Sequence, residues 1–411
     1  MIAGTVKSLY FSGIGGAGMA PLARIALARG CRVAGSDKEP NAKTDELLRM
    51  GAVIHAGHDA AHIPEDCDLL VYSSAIPEDN PERVAACLRH IPEMRRGAFL
   101  AEIAKDYPVS IAVSGSHGKT STTAMLVWIL QKSGRNPGYL VGGAVEQLHS
   151  GEAGDGSIFV TEADESDGTH VLLHPTIGII PNIEDDHAWS VGGREQLFQN
   201  FRTFAGNCKA IIVPQDTAES FFHTPGLNLD VPGPAGFCGF MKTDALLAAA
   251  GAEALGISRE EAFAALADFP GVQRRMTLRL QTDDLTIIED YAHHPTEVAA
   301  AVTFLRERYP GKHLHLLFQP HRYARLAQYF DRFAGELQKA DSVTVAPVFA
   351  AWTETGELGS AELAQAIGPR ATASVGSWEE IARQVQATLP KSAVLAVLGA
   401  GDVEKVFQYL A

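Results

Sequence analysis

Gly115-Ser116-His117-Gly118-Lys119-Thr120-Ser121 lies between an apolar, β-prone run, Val109–Val113, and a helix-prone run, Lys119–Lys132, that stops at Ser133-Gly134. Strand, glycine loop and helix in this order predict a parallel α/β sheet with an anion site at its head. The glycines let the backbone turn tightly and approach a ligand. The helix start offers unpaired N–H groups and the positive end of its dipole. Lys119 can neutralise phosphate charge, and the Thr120 hydroxyl is placed to hold Mg²⁺. The spacing is shorter than the full phosphate-loop pattern, because position 113 is Val rather than Gly. A chance Gly-Lys-Thr is the bland alternative, and the strand before and helix after weigh against it. Residues 115–121 are therefore read as an ATP-binding loop.

A nucleotide with a divalent ion needs acidic ligands nearby. Glu162-Ala163-Asp164-Glu165-Ser166-Asp167 follows an expected strand at Ser157–Glu162, and Asn182-Ile183-Glu184-Asp185-Asp186-His187 follows one at Thr176–Ile180. Acidic loops are usually just solvated, so either cluster alone says little. In an open parallel sheet, however, ligands gather at the carboxyl ends of strands. Three such ends, one of them the glycine loop, point to phosphate and metal chemistry together.

The alternation of strand and helix extends in both directions. Upstream, the strand Ser8–Ser12 leads into Gly13-Ile14-Gly15-Gly16-Ala17-Gly18-Met19, and a helix is expected over Ala20–Arg29. Further strands are expected at Cys31–Gly35, closing on Ser36-Asp37, and at Asp68–Tyr72, closing on Ser73-Ser74. Downstream, Lys209–Pro214 reads as a strand and Ala245–Leu255 as an Ala-rich helix. Residues 217–240 are rich in Pro, Gly and Phe and receive no assignment. Leu285–Asp290, Leu314–Phe318, Ser342–Pro347 and Val394–Leu398 read as buried strands. The expected division is 1–105, 106–270 and 271–411.

Bulk properties agree with a multidomain globular protein. The chain has 411 residues, 46% hydrophobic and 20% charged, with a net charge of −15. An acidic chain without a Lys/Arg block is a poor nucleic-acid partner. The five cysteines are scattered and include no C-x-x-C pair, which argues against a disulfide framework and for free thiols. No run approaches the length of a membrane span and no secretory leader is evident, so a cytoplasmic protein without membrane partners is expected.

Taken together these motifs resemble the Mur ligase family, over about residues 8–405. Gly115–Ser121 resembles its ATP loop, and Thr161–Asp167 and Asn182–His187 its magnesium-binding strand ends. Gly13–Met19, Ser36-Asp37 and Ser73-Ser74 resemble the UDP-binding region of its alanine-adding branch. Asp290-Tyr291-Ala292-His293-His294-Pro295-Thr296-Glu297 and Gln319-Pro320-His321-Arg322-Tyr323-Ala324-Arg325 resemble its C-terminal motifs.

The resemblance implies an α/β chain of three consecutive domains: Rossmann-like and UDP-sugar-binding, then a P-loop-type ATPase domain with a mostly parallel sheet, then a Rossmann-like amino-acid-binding domain. It implies joining of L-alanine to the carboxylate of UDP-N-acetylmuramate, with ATP and Mg²⁺, in peptidoglycan precursor synthesis. By the same resemblance, Gly15, Gly16, Ala17, Gly18, Met19, Ser36, Asp37, Ser73 and Ser74 bind the UDP-sugar. Gly115, Ser116, His117, Gly118, Lys119, Thr120 and Ser121 bind ATP. Thr120, Glu162 and His187 serve metal ions. Tyr291, Arg322 and Arg325 line the amino-acid pocket with His293 beside it as a candidate base, and Arg274 and Arg275 mark a domain junction. The spacing of Arg322 and Arg325 at an expected helix start predicts that both share one face.

The sequence also departs from the family pattern. The stretch from Pro214 to Ala245 is compressed. Where the family carries a His-Asn-x-x-Asn segment on the adenine side, this chain has Asp244 and Leu247. Met276 follows the arginine pair where phenylalanine is usual, and Phe349–Glu354 differs from the usual Tyr-Pro-Ala-Gly-Glu. Rival readings are a nicotinamide-dependent dehydrogenase, from Gly13-x-Gly15-x-x-Gly18 with Asp37 downstream, and a non-catalytic nucleotide- or UDP-sugar-binding relative. A third is a sister ligase for glycine, serine or a recycled peptide.

Overall fold

In the computed structural model, described over residues 6–186, 188–351 and 355–410, three sheets follow one another along the chain. The first is wholly parallel, in the order β3-β2-β1-β4-β5. Its strands are β1 (Ser8–Ser12), β2 (Arg32–Asp37), β3 (Val53–Ala56), β4 (Leu69–Tyr72) and β5 (Glu93–Arg95). The chain winds outward from β1 on one side, then returns to lay β4 on the other. The β1/β4 boundary is thus the switch point, where a crevice opens above the strand ends. The glycine loop leaves β1 there and Ser73 follows β4.

The second sheet runs β11-β10-β6-β9-β7-β8. It comprises β6 (Val109–Val113), β7 (Gly138–Leu140), β8 (Gly151–Glu152), β9 (Ile158–Glu162), β10 (Ile177–Ile179) and β11 (Ala210–Ile212). Only the β7–β8 pairing is antiparallel. The third runs β12-β13-β17-β14-β15-β16. It comprises β12 (Thr277–Gln281), β13 (Leu285–Asp290), β14 (His313–Phe318), β15 (Ser342–Val345), β16 (Ala371–Ala373) and β17 (Ala393–Leu398). Here β12 alone is antiparallel. The α/β class and mostly parallel sheets match the sequence expectation.

Two compact units emerge from the packing. One is Met1–Gly236 with Lys242–Pro270, which holds the first two sheets. The other is Phe237–Met241 with Gly271–Ala411, which holds the third.

The expected apolar strands occur within one or two residues of their predicted ends, and Ser8–Ser12, Val109–Val113 and Leu285–Asp290 match outright. Their side chains are buried on both faces, as parallel strands require. The strands without a prior assignment, β3, β5, β7, β8, β12 and β16, are short, polar or at sheet edges. No run of apolar residues announces such strands. The segment 217–240 opens at the end of a short helix, Gln215–Thr217, and continues as a single turn, Ala218–Phe222, and then mostly irregular chain. The following helix begins at Gly239, earlier than expected, and runs to Glu253. Among the described residues no helix is long and apolar enough to cross a membrane.

Candidate active site

Strands β10, β6 and β9 are immediate neighbours, so the loops leaving their carboxyl ends adjoin. Those loops are the two acidic segments and the phosphate loop between them. The loop is held by Asn182. Its Oδ1 accepts from His117 N–H at 2.8 Å, its Nδ2 donates to His117 O at 3.0 Å, and its carbonyl accepts from Ser116 N–H at 3.2 Å. The Ser116 hydroxyl accepts from Glu184 N–H at 2.8 Å. Gly118 starts the helix Lys119–Lys132 in the left-handed region, φ 81°. A Cβ there would lie 2.5 Å from Asp244 Oδ1, so glycine is required by both conformation and space. Ser121 is buried at the helix start.

Lys119 lies at the centre. Its ammonium donates to Gly115 O at 2.6 Å and meets the Glu165 carboxylate at 2.9–3.0 Å. Burial works against its charge, but Glu165, Asp164 and Glu162 hold its pKa above the usual lysine value. Glu165 is 1% exposed, and burial pushes its carboxyl up to about 7 despite Lys119. The Thr120 hydroxyl donates to Glu162 Oε2 at 3.0 Å, and Gly142 N–H donates to Glu162 Oε1. Burial raises the Glu162 carboxyl as well. A hydroxyl and a carboxylate in contact, inside an acidic cluster, form an all-oxygen donor set that fits Mg²⁺. His187, expected to serve a second metal ion, lies outside the described residues.

In the first sheet, Gly13 takes φ 82° and donates its N–H to Ser36 O at 2.8 Å, with Ile14 N–H on the same carbonyl at 2.9 Å. Asp37 Oδ2 accepts from Gly15 N–H at 2.9 Å. The acid that a dinucleotide fold would spend on a ribose is here spent on its own loop. Ser73 packs 3.3 Å from a Cβ built on Gly13, Met19 is buried, and Ala17 and Ser74 are exposed. Gly16 and Gly18 are partly exposed, so the tip of the loop is open.

The third sheet gathers its own cluster. The Tyr291 ring lies 5.3 Å from His293 and under both Arg274 and Arg275, at 4.9 and 5.3 Å. His293 Nδ1 is 2.9 Å from Tyr291 O and 3.1 Å from Glu297 Oε2. Both are acceptors, so Nδ1 carries the proton and Nε2 keeps its lone pair. Burial lowers the His293 pKa to about 4. His321, not picked out from the sequence, stands 5.7 Å from His293 and within 3.4 Å of the Arg325 guanidinium. Its place at the end of a Gln-Pro-His-Arg motif was the available signal.

One expectation needs correction. Arg322 and Arg325 do not share a helix face. Arg322 is the N-cap of the helix Tyr323–Gln328, with φ 67°, while Arg325 is inside it and 7% exposed. Pro320 and the Arg322 N–H bond to Phe349 O hold the backbone extended before the helix can begin. His294, the next residue after His293, has a local structural part. It is fully buried, accepts from Thr296 N–H through Nδ1, and caps the helix Pro295–Arg308. The arginine pair follows the 270/271 border. Arg274 is bound by Glu289 at 3.1 Å and Glu404 at 2.9 Å, and Arg275 by Glu297 at 3.2 Å.

Known proteins share this plan. The signature described as "Mur ligase family, catalytic domain" matches residues 8–108, "Mur ligase middle domain" 113–224, and "Mur ligase, glutamate ligase domain" 274–401. The UDP-N-acetylmuramate–L-alanine ligase of Renibacterium salmoninarum is 35% identical, over 96% of this chain and 93% of its own. That of Aquifex aeolicus is 33% identical, over 98% and 97%. The crystal structure of UDP-N-acetylmuramate–alanine ligase from Thermotoga maritima superposes with a TM-score of 0.79 at 25% identity, covering 98% of each chain. With these likenesses running almost end to end, the chain belongs to the Mur ligase family.

Proposed function

We propose that this protein joins L-alanine to the carboxylate of UDP-N-acetylmuramate, converting ATP to ADP and phosphate, in peptidoglycan precursor synthesis. The observation that carries the reading is Lys119 held among Glu162, Asp164 and Glu165 at the head of the helix Lys119–Lys132. Relatives of one printed activity spanning nearly the whole chain supply the substrates. The domain assignment proposed is 1–105 for the UDP-sugar, 106–270 for ATP and 271–411 for the amino acid.

The muramate carboxylate oxygen attacks the γ-phosphorus of ATP, and the bond to the β–γ bridging oxygen breaks. An acyl phosphate and ADP result. Two anions must approach, so Lys119 is assigned to the γ-phosphate, reached by exchanging Glu165 for it. Gly115–Ser121 is assigned to the remaining phosphate oxygens through backbone N–H groups. Thr120 and Glu162 are assigned to one Mg²⁺ and His187 to a second metal ion, which when bound would supply charge neutralisation at the phosphates. The neutral alanine amine then attacks the acyl carbon, the acyl carbon–oxygen bond to the phosphate breaks, and the departing phosphate takes the proton that the nitrogen loses.

Arg322 and Arg325 are assigned to the alanine carboxylate, with Tyr291 beside it. A ring with a pKa of about 4 is too weak a base to deprotonate an ammonium efficiently. His293 is therefore assigned to accept a hydrogen bond from the amine through Nε2. The sign of its pH dependence follows. A histidine whose pKa is depressed contributes stability above its ordinary 6.5, and loses it as pH falls toward about 4. The rate profile of the wild type should then show no histidine inflection near pH 6.5 from this ring. His293→Ala should raise KM for alanine roughly tenfold, with a smaller change in kcat. Steady-state kinetics between pH 5 and 8 check both. A wild-type inflection near 6.5 that vanishes in His293→Ala would instead restore His293 as a titrating base.

Phosphate release tests the whole reaction. With UDP-N-acetylmuramate, ATP and Mg²⁺ present, release should depend on an added amino acid, with L-alanine ahead of glycine and L-serine in kcat/KM. Equal rates without any amino acid would remove the ligase assignment.

A further inference from the structure

Resting on the UDP-sugar reading of the first domain, we infer that Arg96 is the cation that binds the UDP diphosphate, held ready by an ion pair to the acidic loop of the ATP domain.

Arg96 opens the helix Arg96–Lys105, directly after the edge strand β5. Its guanidinium reaches in two directions. Nη2 donates to Asp167 Oδ2 at 2.5 Å and to Thr169 Oγ1 at 3.5 Å, with Asp164 Oδ2 at 3.7 Å. The other edge lies against the glycine loop. A Cβ on Gly18 would sit 2.9 Å from both Cδ and Nη1 of Arg96. Among the described residues, Nε and Nη1 meet no protein acceptor. The side chain is only 16% exposed, so these donors are fixed in place rather than waving in solvent.

Among the described residues, the side-chain atoms nearest the loop's glycines belong to Asp37, Asn41, Thr44, Ser73, Ile76, Met19 and Arg96, and of these Arg96 carries the positive charge. The net charge of −15 makes a local cation the more necessary. A guanidinium suits the task, since its planar fork can bond two phosphate oxygens while its other nitrogen keeps the carboxylate. Glycine at position 18 leaves the space that the Arg96 side chain occupies. Gly97, the next residue, lies 2.3 Å from Thr169 Oγ1 by the same construction, so the helix start is packed tightly onto the loop after Glu162. The first site and the metal-binding strand end thus share one rigid connection through Arg96.

Calorimetric titration of the full chain with UDP-N-acetylmuramate, without nucleotide, tests this in three variants. Arg96→Ala should weaken binding roughly tenfold to a hundredfold, and Arg96→Lys should recover part of the loss. Asp167→Asn keeps Oδ1 on the Thr169 N–H, at 3.0 Å, but removes the competing charge, so its binding should equal the wild type or be tighter. Arg96→Ala binding within twofold of wild type overturns the inference. So does an Asp167→Asn loss as large as that of Arg96→Ala, because Arg96 would then act only as a brace. A wild type that fails to bind UDP-N-acetylmuramate removes the underlying reading instead.

Discussion

Lys119→Ala is expected to lower kcat by at least about a hundredfold, the usual effect of removing one preorganised charge from a reacting oxyanion, while UDP-N-acetylmuramate binding survives. The contrast follows from position. Lys119 sits after β6, whereas the glycine loop assigned to the UDP-sugar sits after β1 on a different sheet. The substitution has a structural cost too, because it strips the cation from a carboxylate that is 1% exposed. Burial already lifts Glu165 to about 7, so the orphaned group would take up a proton rather than stay charged. The double variant Lys119→Met/Glu165→Gln removes both charges with little loss of volume and separates catalysis from folding. Turnover of either variant within tenfold of wild type, with thermal stability preserved, would remove Lys119 from the phosphoryl-transfer step.

Glu82→Ala should be the most destabilising of the single substitutions considered, by about 3–5 kcal/mol. Glu82 is fully buried at the start of the helix Pro81–Leu88. Its carboxylate accepts from Tyr10 Oη at 2.6 Å and from the Ser12 hydroxyl, and His58 Nδ1 lies 3.1 Å away. His58 in turn contacts Ser36 Oγ at 2.9 Å. One carboxylate thereby ties the end of β1 to the end of β2, where the glycine loop departs. Burial, then the Glu82 contact, push the Tyr10 phenol far above its usual value, so it stays a donor at any ordinary pH. Removing Glu82 leaves these donors facing a void, and each buried orphan is costly. Calorimetry should record a fall in Tm of at least about 5 °C. Glu82→Gln, which keeps one acceptor oxygen, should lose less than half as much. A Glu82→Ala protein as stable as the wild type would show that water replaces the carboxylate without penalty.

The departures from the family pattern gain a physical setting. Asp244 is 3% exposed, accepts from Thr122 Oγ1 at 3.3 Å and abuts Gly118. The residue that replaces the family's asparagine therefore touches the phosphate loop itself. Leu247, fully buried, belongs to the core of its helix.

The sequence alone determined the α/β class, the parallel strands and the three strand-ending loops. Buried strands of a parallel sheet are written as unbroken apolar runs such as Val109–Val113, and glycines with Lys-Thr at a helix head have few other uses. These signals are local, so they need no partner to be read. Edge strands such as β3 and β16 escaped because half-exposed short segments carry no such run. Only the tertiary structure decided which strand ends are neighbours, which placed Lys119, Thr120, Glu162 and Glu165 together. It also decided that Asp37 serves its own loop, that Arg322 stands off the helix face of Arg325, and that Arg96 reaches Gly18. Each of these depends on contacts between segments tens of residues apart or on a backbone angle set by a neighbouring strand, which periodicity and spacing do not encode.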